Sequence, residues 1–172
     1  MYKTILLLLF LSLMACQRRD IELQAEATKY PRWIGEIEPG PQLDDPHFQP
    51  CNGDNTYQYF NHSQGLQYRG EKRAIEALFQ KLYRPVTAAK ANGLIRIRFM
   101  VNCAGKTGRF RLISMDENYQ AVVFPKAICT QLLNITKKLD GWEKLPNAEE
   151  ATDYYQYLSF KIEQGAIKEI LP

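Results

Sequence analysis

The alternation of apolar and polar residues is sharpest in the middle of the chain. In "LIRIRFMVN", Ile95, Ile97, Phe99 and Val101 fall on one side, while Arg96, Arg98 and Met100 fall on the other. That period of two is the mark of a half-buried strand. "CAGK" supplies a turn, with Gly105 as its permissive residue. "TGRFRLISM" then alternates again, Phe110 and Leu112 against Arg109 and Arg111. The pair predicts a β-hairpin with one apolar and one basic face. On either side the period becomes helical. In "GEKRAIEALFQKLYRP", Ile75, Leu78, Phe79 and Leu82 lie on one helix face, and Pro85 ends the element. In "PKAICTQLLNITKKLDGW", Pro125 suits a first turn, Ile128, Leu132, Ile135 and Leu139 form the buried stripe, and Gly141 stops the helix.

The last stretch, "DYYQYLSFKIEQGAIKEILP", reads as a long strand. Leu158, Phe160 and Ile162 face inward, with Tyr155, Tyr157 and Lys161 outward. Gln164-Gly165 fits a tight turn into a final strand over 166–171. The order helix, strand, strand, helix, strand, strand predicts an α+β domain of two layers, an antiparallel sheet with two helices on one face. Its expected extent is 57–172.

Residues 17 to 56 lack such periods. "YPRWIGEIEPGPQLDDPHFQPCNGDN" holds five prolines and three glycines, which break helix and ladder alike. This is a tether and extended wrap over 16–56, with Trp33, Ile34, Ile37 and Phe48 available to pin it to the domain. The arrangement places Arg96, Arg98, Arg109 and Arg111 on one face, where like charges repel unless acids cover them. Glu36, Glu38, Asp44 and Asp45 of the wrap can do so. Otherwise these arginines, extended by Tyr155 and Tyr157, form a surface for an anionic or protein partner.

The chain opens differently. Lys3 precedes the apolar run Ile5 to Leu11, and Leu13-Met14-Ala15-Cys16 follows. The run is shorter than the roughly 20 apolar residues of a membrane span and reads as an export signal over 1–15. Its end resembles the lipobox of bacterial lipoproteins. The resemblance implies cleavage before Cys16, a diacylglycerol on the Cys16 thiol and a fatty acyl chain such as palmitate on the new amine. Two or more chains give stable anchoring where one does not. Gln17 is not the aspartate that retains lipoproteins in an inner membrane, which favours the outer membrane, on either its periplasmic or its surface face. An exported chain meets an oxidising compartment. Cys51 in the irregular segment and Cys103 at the hairpin turn are both reachable, so these two are expected to pair, leaving Cys129 as a packed thiol on the second helix.

From Gly70 to Ile162 the pattern also resembles the C-terminal domain of TonB-like proteins. The carrying features are Tyr83-Arg84-Pro85 after the first helix, "GLIRIRFMVNCAGKTGRFRL" with Gly93, Phe99, Val101 and Gly105, and "LLNITKKLDGWEKLP" with Trp142 and Pro146. The resemblance implies the same fold and the binding of envelope proteins. The chain departs from the family in lacking a proline-rich rod and in adding 166–171, which is expected to cover the sheet edge where TonB receives a transporter peptide.

Composition narrows function further. Hydrophobic residues at 45% and charged residues at 24% match a globular domain. A net charge of +3 argues against a dedicated nucleic-acid binder. A metal site needs about three or four converging ligands. Asp44, Asp45 and His47 read instead as a solvated loop, and Asn52, Asp54 and Asn55 as a turn. No nucleophile elbow or phosphate-cradling loop is present. The expectation is therefore a lipid-anchored binding or scaffold protein of the cell envelope, with the membrane and an envelope protein as partners and with no catalytic residue, metal or cofactor. The alternative is a small envelope hydrolase using His62 or Asp54.

Overall fold

The structure, a computed structural model, describes residues 36–52, 56–62, 65–145 and 152–171. Two nine-residue strands, β2 (Gly93–Val101) and β3 (Thr107–Met115), form the central hairpin. Asn102 shapes its turn. The Asn102 side-chain oxygen accepts the amides of Ala104 and Lys106 at 3.0 and 2.9 Å, the local bonding that makes asparagine a turn residue. The eleven-residue β4 (Asp153–Glu163) lies antiparallel along all of β2, from Gly93 opposite Ile162 to Val101 opposite Tyr154. β5 (Ala166–Leu171) folds back on the outer edge of β4, as the hairpin spacing predicts. The short β1 (Thr56–Gln58) takes the start of that edge, in parallel with Asp153–Tyr155.

The α+β class therefore holds, but the expected all-antiparallel sheet is corrected to a mixed one of five strands. Three residues carry no readable period, so β1 could not be recognised from its own sequence.

Helix α1 (Glu71–Leu82) and helix α2 (Lys126–Thr136) pack on one face. There Ile95, Ile97, Phe99, Val101 and Phe160 are fully buried against Ile75, Phe79, Ile128 and Leu132, and the rings of Phe79 and Phe160 lie 4.8 Å apart. Burying each such side chain contributes about 1.5–3 kcal/mol. Helix α2 stops before Gly141, earlier than its apolar stripe suggests. The Thr136 hydroxyl turns back to the Leu132 carbonyl at 2.8 Å, and the amides of Lys138 and Leu139 bond three residues back. This tightened turn still buries Leu139.

The period of two also breaks inside β3. Arg98 faces Arg111, but Met100 faces Gly108. Arg109 is the residue gained, with φ of 52°. A bulge of this kind bends the strand and re-aims its side chains, so Arg109 leaves the strict alternation that placed it beside Arg111. The wrap from Glu36 onward belongs to the same compact unit as the sheet. Cys16, Trp33, Ile34, Asp54 and Pro146 lie outside the described residues.

Candidate functional site

The face of the sheet away from the helices carries the expected arginines, and the wrap closes much of it. Arg111 donates to both carboxylate oxygens of Asp44, at 2.6 and 3.0 Å, and to the backbone carbonyl of Glu38 at 2.7 Å. The two-pronged pair sits at partial burial, with side chains 25% and 13% exposed. Bonding to Arg111 holds the Asp44 carboxyl below the usual carboxylate range, and Arg111 is raised in return. Of the four acids expected to cover this face, Asp44 alone makes a described salt bridge to it. Asp45 instead accepts the His47 amide at 2.9 Å. Ile37 packs on Met100 and Tyr155, with Phe48 beside them. Phe48 lies on bare Gly108, where a Cβ would come 2.2 Å from its ring.

Arg98 is 7% exposed and Tyr155 3%, with the guanidinium 5.9 Å from the ring. Burial pushes the Arg98 pKa down. Arg96 stacks 5.0 Å over Tyr157 and bonds Ser159 at 3.0 Å. Tyr59 donates to the Tyr157 hydroxyl at 3.3 Å, and burial, with this bond second, raises Tyr59 to about 12. Cover by the wrap thus holds in part: Arg98 and Tyr155 are buried, while Arg96, Arg109, Arg111 and Tyr157 are only half-covered.

Replacing Asp44 by asparagine is expected to cost about 1.5–3 kcal/mol, the range for a bond to a charged group. Because the folded pKa of Asp44 is depressed, its contribution is complete above the unfolded value near ~3.9 and disappears as pH falls through the folded value. Unfolding curves from about pH 6 down to about pH 2 should show this acid loss in the native protein and a smaller one in Asp44→Asn. Equal slopes would refute the assignment.

At one end of the face the Cys51–Cys103 disulfide joins the wrap to the β2–β3 turn, as the sequence predicts, and Cys129 is a half-buried free thiol raised by burial. Between the two half-cystines sits Asp153, fully buried. Its carboxylate accepts the amides of Cys51 at 3.1 Å, Asn52 at 2.8 Å and Cys103 at 3.2 Å. Sequence reasoning passed over Asp153, since one aspartate before a strand gives no signal by itself.

On the helix side, a groove of about 290 Å³ runs between α1 and β5. Phe79, Tyr83, Ile167 and Ile170 supply its apolar lining, with Glu76, Gln80 and Lys168 among the polar residues. Among the described residues β5 pairs only with β4, so its outer edge carries no second ladder. Its register shifts between Lys161–Glu169 and Ile162–Ile167, which makes Lys168 a bulge residue. A second cavity of about 460 Å³ brings Asp45 and His47 to Lys106, Lys137 and Asp140. No group of three potential metal ligands occurs among the described residues. None of the helices described is long and apolar enough to cross a membrane.

No family model matches the chain, and no curated protein or solved structure matches it either.

Proposed function

We propose that this chain is a lipid-anchored protein of the cell envelope that binds another protein as a scaffold or adaptor, and that the α1–β5 groove receives the partner. The observation that carries this reading is the coincidence of an edge strand with an apolar groove. An extended segment laid along β5 gains backbone hydrogen bonds from that edge, and its alternate side chains enter the space between Phe79, Tyr83 and Ile170. The TonB-like pattern of residues 70–162 supports a protein partner. Since β1 and β5 occupy the two ends of the outer edge of β4, strand addition moves to β5. The lipid anchor rests on the sequence of residues 3–16, and the outer-membrane location on Gln17.

A photo-crosslinking residue at position 80, on the exposed rim of the groove, tests the partner reading in intact envelopes. It is expected to yield one discrete protein adduct that Ile167→Asp reduces at least about tenfold, as loss of a buried anchor does. The same probe at exposed position 123 should give none. Equal adducts from both positions would defeat the proposal. The anchor has its own test. Cys16→Ser should abolish fatty-acid labelling and move the protein out of the detergent phase, and retained labelling would remove the lipoprotein assignment.

A further inference from the structure

Three attachments converge where the wrap meets the sheet. The disulfide brings Cys51 within 6.0 Å of Cys103, Cα to Cα. Asp153 binds the amides of both half-cystines and of Asn52. The Asn102 side chain donates to the Gln49 carbonyl at 2.9 Å. Four residues beyond Asn52, β1 begins its three-residue pairing with Asp153–Tyr155. Elsewhere the wrap is held by Ile37 and Phe48 in a small cluster, with Phe48 on Gly108, and by Arg111 bound to Asp44 and to the Glu38 carbonyl. Among the described residues the main core has no fully buried member before Tyr68, and Tyr57 and Tyr59 only pack against it partly buried. The covalent bond that secures this corner joins an exposed residue, Cys51, to a half-buried one, Cys103.

We propose that the Cys51–Cys103 disulfide is a redox latch. Its reduction by a dithiol releases residues 48–52, strips β1 from β4 and opens that edge of the sheet while the remaining domain stays folded. The inference is independent of the groove reading. The chemistry is thiol–disulfide exchange. A thiolate of the dithiol attacks the Cys51 sulfur, forming a mixed disulfide and expelling the Cys103 thiolate, which takes a proton. The second thiol then closes on the first, expels the Cys51 thiolate and leaves the reductant as a disulfide. Two electrons and two protons pass to the protein.

Asp153 couples this exchange to structure. With the bond intact, Cys51 and Cys103 are tethered so that both amides reach the same carboxylate oxygen. Without the tether, the Cys51 and Asn52 amides leave together to water. The carboxylate then keeps one described amide in a dry site, which favours water entry and fraying of the start of β4. A strand as short as β1 cannot stay paired once the chain before it is loose. The unit that opens is small and contiguous, as local unfolding requires.

Hydrogen exchange of the full chain, read by mass spectrometry with and without dithiothreitol, tests the latch. Thiol alkylation at positions 51 and 103 verifies reduction, and Cys129 is scored separately. Amides of 48–52, 56–58 and 153–156 are expected to exchange at least about tenfold faster after reduction, while those of 95–99 and 128–132 stay within about twofold. The double variant Cys51→Ser, Cys103→Ser should show the reduced pattern without reductant and no response to it. Unchanged exchange over 48–52 and 56–58 in the reduced chain or the double variant overturns the proposal. So does uniform loss of protection across β2 and α2, or a disulfide that yields to the dithiol only in denaturant.

Discussion

Asp153→Ala is expected to lower the free energy of unfolding by about 3–5 kcal/mol with the disulfide still formed. The truncation leaves the amides of Cys51, Asn52 and Cys103, now bonded at 2.8–3.2 Å, without an acceptor in a site where Asp153 is 0% exposed. An unmade bond at a buried donor costs about 1–3 kcal/mol, and partial access for water keeps the sum below three full penalties. Asp153→Asn should lose less, about 1–3 kcal/mol, because one oxygen can still accept while its amide group faces a donor. Urea unfolding of both variants, with the disulfide checked by mass, decides the matter. An alanine variant within about 1 kcal/mol of the native chain would show that the carboxylate does not organise this corner.

The second large effect is expected at the β4–β5 turn. Gln164 and Gly165 both have positive φ, 50° and 74°, the pair of values demanded by a two-residue hairpin loop of type I′. The turn is also bound from outside. The Gly165 carbonyl accepts the Tyr83 hydroxyl at 2.8 Å and the Val86 amide at 3.0 Å, and the Gly165 amide donates to Ala91 at 2.9 Å. A Cβ at this position would lie 2.2 Å from the Val86 carbonyl oxygen. Backbone cannot yield as a flexible side chain can, so Gly165→Val must displace the turn or the segment after α1. The expected cost is about 3–4 kcal/mol from backbone strain and the lost bonds. Displacing the turn also loosens β5 from β4, so the variant should self-associate through the freed edge. Thermal unfolding and sedimentation measure the two consequences. A variant that melts within a few degrees of the native chain and stays monodisperse would show that the turn tolerates the side chain.

Local pattern was enough for the elements that have room to show one. Ile95, Ile97, Phe99 and Val101 announce a strand and its buried face because strand side chains alternate whatever the partner. Ile75 and Phe79, like Ile128, Leu132 and Ile135, announce helices because four residues make about one turn. Gln164-Gly165 announces the last hairpin because few residues accept its dihedral angles. Cys51 and Cys103 were legible as a pair because both sit in connecting segments.

Tertiary structure alone decided the rest. Neither the alternation around Arg109 nor the three residues of β1 reveals a bulge or a parallel partner, since both depend on register against a strand elsewhere in the chain. Whether the arginine face is open was undetermined in the sequence, because Asp44 and Arg111 meet across 67 residues and their pairing depends on the path of a segment without period. Asp153 gained its role from amides about a hundred residues earlier in the chain and fifty earlier at the hairpin turn. The α1–β5 groove likewise exists only after the sheet brings two distant elements together. Periodicity tells each residue which way to face, but the contacts that turn faces into a latch or a groove are set by long-range packing.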